Sequence, residues 1–157
     1  MALQASKVIN GLIVICPEVK EDYRGSYTAI YNKAEYDHML GIDFVEHCIS
    51  YSTKGVLRGI HWDSERWKLC QCVYGRIYHV VVEPISGKWE SFILSGDNRI
   101  QVLVPPKHGN SYQVLSNEAV FLYYMSEYYD PKREKTFKWN RFDIDWPLIP
   151  ILSRKDK

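Results

Sequence analysis

Lys54–Leu69 reads KGVLRGIHWDSERWKL, two extended apolar–polar runs on either side of a short polar turn at Asp63–Arg66. Strand, turn and strand is the simplest assignment, with Trp62 and Trp67 as aromatic partners beside the turn. A four-residue loop sets His61 opposite Lys68, so an imidazole and a fixed positive charge share one face of a hairpin. Strict alternation turns Arg58, three residues before His61, to the other face. Gly59 lies between them, where a bulge would re-aim one of the two. The same pattern also suits a surface hairpin whose histidine has no role.

Short strands continue on both sides of this stretch. Phe44–Tyr51, Val56–Trp62, Trp67–Tyr74, Ile77–Glu83, Trp89–Leu94, Ile100–Pro105, Tyr112–Leu115 and Val120–Ser126 are divided by glycine, asparagine and serine clusters. That spacing predicts an all-β sandwich or barrel. Nearer the N-terminus, Val8–Ile15 reads as a strand with a turn or bulge at Asn10-Gly11, and Ser26–Tyr31 as another. Asn32–Leu40 is the one helical stretch, capped by Asn32 and closed by Gly41, and is expected to cover an edge. Tyr129–Lys157 loses alternation and reads as packed loop with one helical turn, tied down by Trp139 and Trp146. No repeat or linker divides the chain, so residues 1–157 are expected to form a single domain.

A length of 157 residues suffices for one core. A net charge of +1 with acids and bases interspersed provides no field to hold nucleic acid or an anionic membrane. The 14% aromatic content, with twelve tyrosines, fits barrels, interfaces and ligand pockets. Cys16, Cys48, Cys70 and Cys72 form no CxxC pair and read as buried free thiols of a reducing cytoplasm. No signal pattern and no apolar run of membrane-spanning length is present, so a soluble, cytoplasmic protein is expected. There is no GxGxxG or GxxxxGK[ST] motif. The histidines at 38, 47, 61, 79 and 108 make no HxH or HExxH, so neither a cofactor nor a metal is expected.

A series of short blocks then carries a resemblance. RG at 24–25, KGVLRGIH at 54–61, KL at 68–69, LVPP at 103–106, VLS at 114–116, LYY at 122–124, YYDP at 128–131, WN at 139–140, IDWP at 144–147 and LSRKD at 152–156 occur in one order. From Asp22 to Asp156 the chain resembles the dTDP-4-dehydrorhamnose 3,5-epimerase family. The resemblance implies a cupin jelly-roll barrel with a short helix and a loop-rich C-terminal tail. It also implies a homodimer, often with exchanged N-terminal strands, acting without metal on a nucleotide-linked 4-keto-6-deoxy sugar.

A ketone at sugar carbon 4 acidifies the hydrogens on carbons 3 and 5. A base removes one, an enolate forms, and an acid returns a proton from the opposite face. By resemblance His61 is the base, Asp156 orients its ring, Lys68 stabilises the ketone oxygen's developing charge, and Tyr123 is the acid. Arg24 and Arg58 hold the diphosphate, where guanidinium forks suit phosphate oxygens. Departures from the family pattern fall at Ala29, where a glutamate is usual, at Glu46 and Cys48, and at Asn110, where a second histidine is expected. Glu46 and Asn110 are counted among the substrate-binding candidates. The Gly109-Asn110-Ser111 variant and the preceding Pro105-Pro106-Lys107 are similar to bacterial capsular epimerases of GDP-linked 4-keto-6-deoxy-heptoses. That branch of capsule or O-antigen synthesis is the reading favoured by sequence. Epimerisation at carbon 3 alone and a non-catalytic cupin binding module are the alternatives.

Overall fold

Residues of strand propensity cut by turn residues every few positions close here into a two-sheet jelly-roll barrel. The computed structural model describes residues 1–157. Its elements are β1 (Ala2–Ala5), β2 (Ile13–Cys16), β3 (Lys20–Asp22), β4 (Gly25–Tyr27), α1 (Lys33–Leu40), β5 (Glu46–Thr53), β6 (Leu57–Asp63), β7 (Lys68–Tyr74), β8 (Arg76–Val82), β9 (Trp89–Ser95), β10 (Gln101–Val104), β11 (Gly109–Val114), β12 (Glu118–Met125) and β13 (Glu134–Thr136). A six-stranded sheet, β1-β2-β10-β7-β12-β5, packs against a five-stranded sheet, β13-β6-β11-β8-β9, and β3-β4 forms a separate hairpin. No helix is long and apolar enough to cross a membrane.

The expected hairpin at Lys54–Leu69 is not formed. β6 pairs with β11 and β13, whereas β7 pairs with β10 and β12 in the other sheet. Residues 64–67 therefore cross between the sheets. Asp63 Oδ1 turns the chain by accepting from the Glu65 and Arg66 N–H groups at 2.8 and 3.1 Å. Trp62 and Trp67 are consequently not partners. Trp62 lies under the Lys135 ammonium, and Trp67 joins an apolar cluster on the six-stranded sheet. His61 and Lys68 do face one space, but from opposite walls of the barrel.

The bulge expected at Gly59 is present. His61 pairs with Asn110 and Arg58 with Tyr112, so three steps along β6 match two along β11. The extra residue lets Arg58 and His61 face the same side. Gly59 has φ +122, and a Cβ there would lie 2.5 Å from Ser111 Cβ and 2.8 Å from the Asn110 carbonyl oxygen. Only glycine meets both demands.

Between the sheets, Cys70, Cys72, Ile77, Val81, Val102, Tyr112 and Phe121 belong to the main core. Helix α1 forms as expected: Asn32 Oδ1 accepts from the Glu35 N–H, and Gly41 closes it in the left-handed conformation at φ 64. It covers the outer face of the six-stranded sheet rather than an edge. Tyr36 is buried there beside Ile15, Leu69 and Leu103, and its hydroxyl donates to Gln101 Oε1 at 2.7 Å. Ala2–Ala5 forms a strand where none was expected, and Ser26–Tyr31 shortens to β4 within the β3-β4 hairpin. Cys70 and Cys72 are buried, Cys48 is half-buried, and Cys16 is exposed, against expectation; all four are free thiols.

The C-terminal tail has no helix and contributes β13. Phe137, Phe142, Ile144 and Trp146 cover the outer face of the five-stranded sheet around Ile60, Val80 and Val82. Trp146 Nε1 donates to the Trp139 carbonyl at 3.0 Å. Buried Gln113 clamps Leu148 by both backbone groups, and Ile151 exchanges backbone hydrogen bonds with Gly55 and Leu57. The tail is thereby led back along the start of β6, toward His61.

Candidate active site

Alternation along five strands fills one mouth of the barrel with functional side chains. β5 contributes Glu46, Cys48 and Ser50; β7, Lys68; β12, Phe121, Tyr123 and Met125; β6, Arg58 and His61; and β11, Asn110 and Tyr112. They enclose a cavity of about 360 Å³ that Arg66, Tyr129, Glu134 and Lys155 complete. A space of that size admits a sugar ring with part of its attached group.

His61 Nε2 lies 2.8 Å from Asp156 Oδ1. Asp156 is only 4% exposed. Its second oxygen accepts from the Ser153 hydroxyl at 3.0 Å, and its own N–H donates back to Ser153 Oγ at 3.2 Å. Burial alone pushes the Asp156 carboxyl up, but the His61 ring, the Ser153 hydroxyl and the Gly59 N–H together hold it below the usual carboxylate value. An ionised Asp156 keeps the ring proton on Nε2, which leaves Nδ1 as the basic nitrogen.

Lys68 is buried and has no carboxylate partner, and burial pushes its ammonium pKa down. Burial likewise raises the Tyr123 phenol, with Cys48 adding to the effect, so the hydroxyl stays protonated and available as a donor. Arg58 is held by Ser52 Oγ at 3.0 Å, again without a carboxylate. Glu46, by contrast, is occupied: it accepts from Arg66 Nη2 at 2.8 Å and from the Tyr129 N–H at 2.9 Å. Lys155 is paired with Glu134. Arg58 and Lys68 are therefore the cationic groups of the wall free to meet an incoming anion.

Of the eight residues singled out by sequence, His61, Lys68, Tyr123, Arg58, Asn110 and Glu46 line the cavity, and Asp156 touches it through His61. Arg24 stands apart. It is exposed at the tip of the β3-β4 hairpin, bound to Asp22 at 2.6 Å. Arg66, Tyr112, Tyr129, Glu134 and Lys155 were missed. Tyr112 was legible, being two residues from Asn110 on one strand. Arg66, read only as the end of a short polar turn, is buried and anchored to the Glu127 carbonyl at 3.0 Å.

A family model described as dTDP-4-dehydrorhamnose 3,5-epimerase matches residues 6–157. The Escherichia coli protein of that name is 36% identical over 163 residues, covering 95% of this chain and 88% of its own. A dTDP-4-dehydrorhamnose 3-epimerase of Streptomyces niveus is 31% identical over 162 residues, covering 95% of this chain and 78% of its own. Among solved structures, the dTDP-6-deoxy-D-glucose-3,5-epimerase of Legionella pneumophila, crystallised with dTDP-4-keto-L-rhamnose, superposes with a TM-score of 0.91. The two are 33% identical, and the match covers 99% of this chain and 89% of that one.

Proposed function

The chain belongs to the dTDP-4-dehydrorhamnose 3,5-epimerase family, and on that premise we propose that it epimerises a nucleotide-linked 4-keto-6-deoxy sugar at carbons 3 and 5. The observation that carries this reading is the His61–Asp156 pair, opening on the same cavity as a buried lysine and a phenol from the opposite sheet. His61 Nδ1 takes the proton from carbon 3 or carbon 5. The Lys68 ammonium stabilises the enolate oxygen at carbon 4, where a poorly hydrated charge acts strongly. Tyr123, across the barrel, returns a proton to the opposite face. Arg58 meets the diphosphate.

Each relative described above is named for a dTDP sugar, which makes the dTDP-linked 4-keto-6-deoxy sugar the leading substrate. The GDP-linked heptose expected from sequence has no counterpart among them. Nor does the cavity wall favour it: Glu46, the carboxylate that would suit the N–H edge of a guanine, is already engaged by Arg66 and the Tyr129 backbone. Both substrates, offered in deuterium oxide and followed by proton NMR, separate the readings. Label at carbons 3 and 5 of the dTDP sugar is the expected result. Label with the GDP sugar alone reverses the nucleotide assignment, label at carbon 3 alone makes the protein a 3-epimerase, and none with either substrate ends the enzymatic reading.

Arg24 enters this scheme only in a homodimer. The β3-β4 hairpin leaves Tyr23 and Tyr27 exposed, and β1 ends the six-stranded sheet as an exposed edge strand. Exchange of these N-terminal strands carries Arg24 to the partner's cavity. Light scattering is expected to give twice the chain mass; a monomer at micromolar concentration removes Arg24 from the diphosphate site.

A further inference from the structure

Behind the cavity wall, His79 of β8 is fully buried, its ring 6.3 Å from that of Phe92 on β9 and 6.0 Å from that of Phe121 on β12. Its Nε2 lies 2.6 Å from Asn110 Oδ1 on the neighbouring strand, and its Nδ1 has no partner. The Cys70 thiol, from the facing sheet, lies 3.7 Å from the same Asn110 oxygen. Two donors from two sheets thus converge on one end of the carboxamide. The other end belongs to the cavity, which Asn110 lines.

The reverse orientation fails on accounting of donors. Turning Asn110 Nδ2 toward His79 requires a bare Nε2, so the ring proton moves to Nδ1, where a buried N–H meets no acceptor. A bare Nδ1 leaves only an unused lone pair, which costs less than an orphaned donor. The reversed amide also turns an N–H against the Cys70 thiol.

We propose that His79 is a positioning residue: with Cys70 it locks the Asn110 carboxamide so that its N–H₂ faces the cavity as a fixed donor to an oxygen of the bound sugar. The identity of that oxygen's owner rests on the epimerase reading; the locked orientation does not. The cavity then holds one imidazole base, His61, and beside it on β11 a group that donates hydrogen bonds and exchanges no proton with carbon. His79 stays neutral in this role. Burial pushes it down to about 4, against the hydrogen bond it donates to Asn110, and the Lys68 ammonium adds to the fall.

Two measurements test the lock. In the wild-type protein without ligand, imidazole ¹⁵N NMR is expected to show His79 protonated on Nε2 alone, unchanged between about pH 5.5 and 8. A proton on Nδ1, or a titration within that interval, overturns the proposal whatever the protein's reaction. In the exchange assay, His79→Leu removes the donor, and His79→Gln restores an N–H in place of Nε2. Loss of one oriented hydrogen bond to substrate is expected to raise KM about tenfold in the leucine variant, with kcat within about threefold, and glutamine is expected to return KM to near wild type. Equal behaviour of the two variants overturns the proposal. Absence of exchange in the wild type fails the epimerase reading instead, and the NMR result then decides the lock by itself.

Discussion

His61→Asn is expected to abolish deuterium exchange at both carbon 3 and carbon 5, a loss of about 10³–10⁴-fold, the upper part of what a positioned general base contributes. Asparagine has no nitrogen that accepts a proton near neutrality. The loss extends to both carbons because His61 is the one histidine lining the cavity, His79 being enclosed behind Asn110. Both hydrogens are acidified by the same ketone, so one base flanking carbon 4 serves either site. Nucleotide affinity is expected to hold within about threefold, since diphosphate binding draws on guanidinium contacts and not on the imidazole. Calorimetry with the nucleoside diphosphate and proton NMR of the exchanging sugar make the comparison. Exchange that persists at one carbon assigns that carbon a different base. Undiminished exchange at both takes the base role from His61 altogether.

How far the sequence reaches is clearest at β6 and β7. Strict alternation set Arg58 and His61 on opposite faces, while the Gly59 break between them marked where a bulge could bring them together, as it does; both signals are local. Whether the next strand folds back to pair or crosses to the opposite sheet is not local, and the turn at Asp63–Arg66 reads the same in either case. The residues of β7 hold the clue. Lys68, Leu69, Cys70, Gln71 and Cys72 are all buried, as in a central strand covered on both faces rather than a half-exposed hairpin arm. Arg66 was hidden for the same reason: a charged residue in a turn looks solvated until the chain supplies Glu46 from β5 and the Glu127 carbonyl from the bend after β12. Helix α1 was legible from its own caps, although its place on the sheet was not. Asp156 was reached only through the family's block pattern. Its route depends on Gln113, which holds Leu148 from 35 residues away, and on Gly55 and Leu57, which pair with Ile151 from more than 90 residues away, in ways no spacing encodes.

Asp156→Asn is expected to cost about a thousandfold in exchange rate while leaving the cavity intact, through the position of one proton. In the wild type the carboxylate accepts from His61 Nε2–H and from the Ser153 hydroxyl. An asparagine there has one oxygen for both donors. The Ser153 hydroxyl, which donates to the oxygen away from His61, favours keeping that oxygen on its side, which turns Nδ2 toward His61. Nε2 must then be bare, the ring proton moves to Nδ1, and the nitrogen facing the substrate is no longer a base. The same substitution changes the response to acid. The folded-state carboxyl is held below its usual value, so its contribution to stability is complete above the unfolded pKa of about 3.9 and disappears as pH falls through the lower folded value. Denaturant unfolding of the wild type between pH 7 and pH 3 is expected to include this loss, and the asparagine variant to lack it. A variant that matches the wild type in acid response, or keeps the wild-type exchange rate, means that Asp156 does not fix the His61 proton. A variant that is inactive yet shows Nε2 still protonated by ¹⁵N NMR moves the effect from tautomer to charge: the anion would then act by stabilising the imidazolium formed once Nδ1 has taken the proton from carbon.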